Sequence, residues 1–362
     1  MNRTLALIAL ILPLFATAGS QSSLTDADKK QVVQTLCDEM KSRYVFADIA
    51  KKATAIVEKK LADGDYASIT SGPAFAAQLS KDLNSACKDA HLRIRYSAET
   101  LPVRKERGEP SKSEIEDAAK FTRLINAGFE KVERLPGNIG YIKFNGFFDP
   151  EDAAQPIRAA MDFVANTDAL IFDIRENGGG DPATVRLICS YLFDEKPVHL
   201  NSLKFREGDK MRVEEFWTLK KVPGKRYVGK DIYVVMSKRT GSGAEEFAYN
   251  LKTQKRATLY GTSTWGGANP GGTVRLNDHF SAFIPVGCAV NPITKTNWEG
   301  TGVLPDVETA AEDALRQAHL DAIRKLQAAA KEPKDQERLK SSLEAAEKLY
   351  GTPKEKPTGT SG

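Results

Sequence analysis

The sequence predicts an α/β protein: an α/β core, an N-terminal helical domain and a C-terminal helical extension. Three observations carry this. Two short apolar runs, Ala169–Ile174 and Asp231–Ser237, each lead into a glycine-rich turn and then a helical pattern, the signature of buried strands with crossover helices. Residues 24–88 repeat their apolar positions at helical spacing. Residues 308–350 are charged and again helical in pattern.

In chain order, Asn2 and Arg3 precede an apolar run from Leu5 to Ala16, followed by Ala16-Thr17-Ala18. This is the layout of a secretory signal (residues 1–18), cleaved after Ala18. The run is shorter than the roughly 20 residues a membrane span needs, and no cysteine follows it to take a lipid. The expectation is a periplasmic or secreted protein without a stable membrane anchor. Residues 24–96 form the helical domain. Thr25 caps a helix carrying Val32, Val33, Leu36, Cys37 and Met40, further helices cover 49–62 and 73–86, and His91–Tyr96 reads as a strand. Residues 97–120, polar and containing Pro102 and Pro110, read as a connector. The core covers 121–308. It begins with a hairpin turning at Leu135-Pro136-Gly137-Asn138, and a helix spans 150–165. A helix over 182–193 follows the turn Asn177-Gly178-Gly179-Gly180, and one over 244–253 follows Gly241-Ser242-Gly243. An extended stretch covers 198–222, and residues 273–285 read as a hairpin turning at Asn277-Asp278. Helices over 309–350 and a disordered tail, 351–362, complete the chain.

The 362 residues carry 52 Lys+Arg against 48 Asp+Glu, interleaved, for a net charge of +4. No basic tract offers a nucleic-acid footprint. The four cysteines are far apart and form no Cys/His cluster, so neither a metal site nor a cofactor is expected. Export makes oxidation possible, and Cys37 with Cys87, both in the helical domain, is the candidate disulfide. Cys189 and Cys288, in apolar surroundings, read as buried free thiols.

Ser242 lies between two glycines, after a buried strand and at a helix start. Such a turn exposes a hydroxyl beside the free N–H groups of the helix end, which suits a nucleophile and a developing oxyanion. The same position also suits a plain N-cap. The Asn177–Gly180 turn has the same setting, so two such turns can bring N–H donors to one carbonyl. Neither matches a nucleotide-binding glycine pattern. A serine needs a base. Of the four histidines, His319 lies on the charged C-terminal helix and reads as solvated, His279 in a turn and His199 in a strand. His91, between a helix end and a strand, ranks first.

Several motifs carry a family resemblance. Thr240-Gly241-Ser242-Gly243-Ala244-Glu245-Glu246-Phe247 and Arg256–Gly267 resemble the nucleophile region of the carboxy-terminal-processing (tail-specific) serine proteases. Phe172–Gly180 resembles that family's strand and glycine turn, Gly140-Tyr141-Ile142 its preceding strand, and Glu299–Asp306 its closing motif. The four motifs fall in the family's order over about residues 130–308. The resemblance implies a crotonase-like core of ββα units with an oxyanion hole of two backbone N–H groups. One branch uses a Ser–Lys dyad and inserts a PDZ domain. Here the lysine position is Gly267, and the segment between Tyr96 and Phe121 is too short for a PDZ domain. The sequence is therefore similar to the other branch, that of the tricorn core and the interphotoreceptor-retinoid-binding-protein-like members.

That resemblance implies Ser242 as nucleophile, His91 as base in its Asp89-Ala90-His91 context, and Glu299 orienting the imidazole. Ala90 replaces a helper serine found in tricorn. It implies an oxyanion hole of Gly243 with Gly179 or Gly180. Glu245 either positions the serine or is simply an acid of a first helical turn. Trp265, Gly266 and Gly267 are assigned to the substrate cleft. The implied substrates are peptides or proteins, and no oligomeric state follows. The main rival is a non-catalytic lipid-, retinoid- or peptide-binding protein on the same fold. An acyl-CoA enzyme is disfavoured by the export signal, and a scaffold role for the C-terminal helices ranks last.

Overall fold

The computed structural model describes residues 24–103 and 112–351. The expected signal segment, part of the connector and the tail from 352 onward lie outside the described residues.

Three helices open the chain: α1 (Asp26–Arg43), α2 (Ala47–Ala62) and α3 (Gly72–Cys87). Thr25 and Asp28 form a reciprocal capping box on α1, and the Ser71 hydroxyl caps α3. Strand β1 (Arg93–Tyr96) follows, and then α4 (Lys112–Leu124). This helix corrects the connector reading. Residues 112–124 contain neither Pro nor Gly, and Phe121 packs on the core with Ile125 just beyond, while the remaining surface is polar enough to look like loop.

The core runs β2 (Phe129–Leu135), β3 (Ile139–Phe144), α5 (Pro150–Val164), β4 (Ala169–Asp173), α6 (Pro182–Leu192), β5 (His199–Glu207), β6 (Lys210–Trp217), β7 (Asp231–Met236), α7 (Gly243–Thr253) and β8 (Thr258–Gly261). Then come β9 (Gly271–Arg275), β10 (Phe280–Pro285), β11 (Gly287–Val290), β12 (Val307–Glu308), α8 (Ala314–Ala329) and α9 (Pro333–Tyr350).

A six-stranded sheet, ordered β12-β8-β7-β4-β3-β2, is parallel except for the β2–β3 hairpin. Its inner strands, β3, β4, β7 and β8, are mostly buried on both faces, and side-chain alternation divides them. Ile142, Phe144, Leu170, Phe172, Val234 and Met236 pack with α5, α6 and α7. Tyr141, Ala169, Ile171, Tyr233, Val235 and Tyr260 pack with α8 and α9. His319, expected in solvent, is buried within this second layer. Its Nε2 lies 2.8 Å from the Pro136 carbonyl and its Nδ1 3.0 Å from the Tyr350 hydroxyl. The charged pattern of α8 hid the buried position.

A second sheet, β1-β10-β9, is antiparallel. Its Ile94, Phe280, Ala282 and Ile284 complete the core of α1, α2 and α3. The helical domain is thus finished by residues about 180 positions downstream, which the boundary at 121 did not anticipate. A third sheet has the order β11-β5-β6.

The candidate disulfide is not formed. Cys37 and Cys87 are both buried free thiols, as are Cys189 and Cys288. Cys37 Sγ faces the Thr54 carbonyl at 4.0 Å, whereas Cys87 lies beside the Tyr44 hydroxyl. The two sulfurs occupy different packing contacts, and burial pushes both thiols above their usual pKa, Cys37 to about 12 and Cys87 to about 11.

Candidate active site

Strand β7 ends in a turn that delivers Ser242 to the N-cap of α7, one residue before the helix. Ser242 has φ 53° and ψ −120°, a conformation that strains an L-residue. Its backbone is held by Glu245, whose Oε2 accepts from the Ser242 N–H at 2.8 Å. Glu245 is fully buried. It also accepts from the Thr264 hydroxyl at 2.5 Å, the Gly266 N–H at 2.6 Å and the Gly267 N–H at 2.9 Å. Burial raises its pKa while these donors pull it down. A first-turn acid in solvent would have none of these partners. Glu245 ties the serine turn to the 264–267 segment.

The second glycine turn is built by Asn177, fully buried. Its Oδ1 accepts from the Gly179 N–H at 2.9 Å, its Nδ2 donates to the Phe144 carbonyl at 3.1 Å, and its own carbonyl accepts from the Gly241 N–H at 3.0 Å. One side chain therefore registers both turns. Gly179 has committed its N–H to Asn177, which removes it as an oxyanion donor. Gly180, at φ 142°, packs so closely on the Phe147 carbonyl that a Cβ could not fit. A Cβ on Gly243 would stand 2.9 Å from the Gly180 nitrogen. The Gly180 and Gly243 amides are thus neighbours.

His91 follows the end of α3. Lys88, at φ 50°, terminates the helix, and Asp89 fixes the next turn by accepting from the His91 N–H at 3.0 Å. Asp89 is itself buried and held by Asn269 Nδ2 at 2.8 Å and the Tyr44 hydroxyl at 3.1 Å. The imidazole packs edge-on to Trp265, with centroids 4.7 Å apart, and stacks on Phe283 at 5.6 Å. Burial, and secondarily the positive charge of Arg93, lower its pKa to about 4, so the ring is neutral at pH 7. Its Nδ1 is buried without a hydrogen-bond partner. The 264–267 segment connects this ring to the serine turn. Trp265 approaches Gly241, and a Cβ on Gly267 would lie 2.5 Å from His91 Cε1.

Glu299 bridges the base turn to the same segment. Its carboxylate accepts from the Ala90 N–H at 2.8 Å and the Ala268 N–H at 2.6 Å. Burial and the neighbouring Asp89 raise its pKa to about 7, against the pull of those two donors. Donor atoms of Asp89, His91 and Glu299 lie within 4.8 Å of one another. This set could also hold a metal ion. The sequence pattern gave no hint of it, because Glu299 arrives from 208 residues beyond His91. The other predicted positions converge here too. Asp89's partners Tyr44 and Asn269, the clamp Asn177 and the hydroxyl of Thr264 went unnoticed, since no local pattern marks them.

A strained, glycine-flanked serine at a strand-to-helix elbow, with a half-buried neutral imidazole and two adjacent amides gathered around the same segment, is the arrangement of the serine-hydrolase class. Residues 138–309 match Peptidase family S41, and residues 24–136 match the N-terminal domain of peptidase S41 in eukaryotic IRBP. The two matches adjoin and span most of the chain, which belongs to peptidase family S41. Carboxyl-terminal-processing peptidase 2 of the chloroplast of Arabidopsis thaliana is 26% identical over 205 residues, covering 51% of this chain and 37% of that protein. The match thus spans little more than a third of that relative. A crystal structure from Parabacteroides merdae assigned as a peptidase has a TM-score of 0.54 at 16% identity, covering 81% of this chain and 96% of that one. One from Bacteroides fragilis assigned as an S41 protease has 0.53 at 15%, covering 87% and 97%. These likenesses establish the fold.

Proposed function

We propose that the protein is an exported serine endopeptidase that hydrolyses peptide bonds with Ser242 as nucleophile, His91 as base and Glu299 as the charge beside the base. The observation that carries this is the convergence, through the 264–268 segment, of the strained Ser242 turn, the His91 ring and the Glu299 carboxylate. Ser242 Oγ attacks the scissile carbonyl and His91 takes its proton. The carbonyl oxygen becomes an oxyanion received by the neighbouring Gly243 and Gly180 amides. His91 then gives its proton to the leaving amine, and a water repeats the sequence to release the acyl group. An imidazole held neutral at pH 7 is ready to accept a proton without first losing one. Glu299, anchored by two amides, offers the imidazolium a nearby negative charge rather than a ready-made hydrogen bond. Export rests on the N-terminal pattern. Among the described residues no helix is long and apolar enough to cross a membrane.

The test is active-site labelling. A serine-reactive fluorophosphonate should modify Ser242 in the wild-type protein, and Ser242→Ala should lose both labelling and peptide hydrolysis. Labelling at another serine would sink the Ser242 assignment, and a wild-type protein that neither labels nor hydrolyses would favour the non-catalytic binding protein instead.

A further inference from the structure

The sheet β1-β10-β9 has two very different faces. Ile94, Ala282 and Val274 point into the helical core. On the opposite face the register sets Arg93 beside Phe283 and Thr273, and Arg95 beside Ser281 and Arg275. This outer face begins at the base, because Phe283 is the ring stacked on His91. Both Arg93 and Arg95 are exposed, and among the described residues neither has a carboxylate partner. Many exposed cations of this protein do pair: Arg158 with Asp162, Lys325 with Asp231, Arg239 with Glu176. Arg275 on this same face pairs with Asp278 and reaches the Leu101 carbonyl. Two guanidinium groups are therefore left unpaired on a face continuous with the proposed catalytic cleft.

The backbone edge of β1 is not what this face offers. Ser80 Oγ accepts from the Ile94 N–H at 2.9 Å, and Asn84 Nδ2 donates to the Leu92 carbonyl at 2.9 Å. An incoming chain cannot add there as a further strand. What remains for a ligand is side-chain charge next to an aromatic ring.

We propose that Arg93 and Arg95 are specificity-determining residues that select peptides carrying a carboxylate near the bond presented to Ser242. The inference rests on the peptidase reading and names its substrate class. A guanidinium offers a planar pair of N–H donors that matches a carboxylate. Two of them on one strand face, two residues apart, line the approach to His91. The carboxylate is supplied either by an Asp or Glu side chain or by the free C-terminus of a peptide.

The experiment uses the full mature chain and internally quenched peptides that differ only in Glu or Gln at successive positions on either side of the cleaved bond. A parallel pair has neutral side chains and a free or amidated C-terminus. The wild type should favour the carboxylate-bearing member by about tenfold in kcat/KM, expressed mainly in KM. The preference should shrink as salt rises from about 0.05 M to about 0.5 M, as expected of exposed charges. Arg93→Gln and Arg95→Gln should each reduce the ratio, and Arg95→Glu should shift it toward a Lys-bearing peptide. Whether the Glu/Gln pair or the free/amidated pair shows the effect identifies the source of the carboxylate. A wild type indifferent to both pairs, or a ratio unchanged in all three variants, overturns the proposal while peptidase activity stands. If no peptide is hydrolysed, the peptidase reading is what fails. Anisotropy of the same labelled peptides on the Ser242→Ala protein then decides the role of the arginines. Tighter binding of the carboxylate member, lost in the Arg→Gln variants, supports it, and equal binding overturns it.

Discussion

At the residue scale, Gly267 bears on the proposal that His91, and not a lysine, is the base. Gly267 stands where the family resemblance places the lysine of the Ser–Lys branch, from which this sequence departs. Here a Cβ on residue 267 would come within 2.5 Å of His91 Cε1 and 2.6 Å of Trp265 Cζ3. A side chain at 267 would displace the imidazole or the indole. Gly267→Ala should therefore lower kcat by about a hundredfold, the usual cost of an ångström-scale misplacement, with a small change in thermal midpoint. Full activity in that variant would show that His91 does not need its present place. On the proposed mechanism, Glu299 should set the pH dependence. Glu299, raised from its ordinary 4.5 to about 7, is protonated below that pH and then gives no charge to an imidazolium. Activity should rise with pH through about 7. Glu299→Gln should remove this limb and lower the plateau, and a pH profile indistinguishable from wild type would disprove the assignment. Stability is the wrong readout. The raised Glu299 favours folding below 4.5 and loses that contribution as pH climbs to about 7. The depressed His91 favours folding above 6.5 and loses its contribution as pH falls to about 4. Between 4.5 and 6.5 the two slopes oppose each other.

At the scale of elements, the strand-turn-helix units at 169–193 and 231–253 were legible because apolar runs and glycine turns are local features. So was Ser242, which those features enclose. Long-range partners were not. Asn177 reads as one more turn residue, yet its side chain and carbonyl fasten two turns that lie about 60 residues apart. Asn177→Ala should free the Gly179 amide and loosen Gly180 relative to Gly243. We expect kcat to fall by about 10²-fold or more, as when an oxyanion donor is lost, and stability by about 1–3 kcal/mol for the buried groups left unpaired. A stability loss with kcat intact would assign Asn177 a packing role only. Cysteine spacing misled in the opposite direction. Cys37 and Cys87 share a domain and an expected oxidising compartment, but their sulfurs face different neighbours. Alkylation of the unfolded, unreduced protein should therefore find four thiols, and reductant should leave both activity and thermal midpoint unchanged. A Cys37–Cys87 peptide in a non-reducing digest would contradict this.

At the scale of the whole molecule, the proposed base His91 and the proposed nucleophile Ser242 sit on parts of the chain that share sheet pairing and a buried core. Composition and periodicity divided the protein at about residue 121. Sheet pairing between β1 and β10 has no local signature, so the division missed that the helical domain is unfinished without residues 271–288. Leu276, Phe280, Ala282, Ile284 and Cys288 lie buried against Leu36, Met40, Phe75, Leu79 and Leu83. The consequence is testable on a fragment. Residues 24–103 alone would present that apolar face to water, and the expected result is a collapsed or aggregating chain without a cooperative melting transition. The intact protein should instead lose the helical domain and the core together. Phe280→Ala, which empties the centre of the shared cluster, should cost about 3–5 kcal/mol. Because β10 also carries Phe283 under the His91 ring, the variant should lose activity at temperatures where most of the protein remains folded. A fragment 24–103 with a sharp transition and dispersed amide resonances would show that the helices suffice by themselves, and that β10 merely rests on a finished domain.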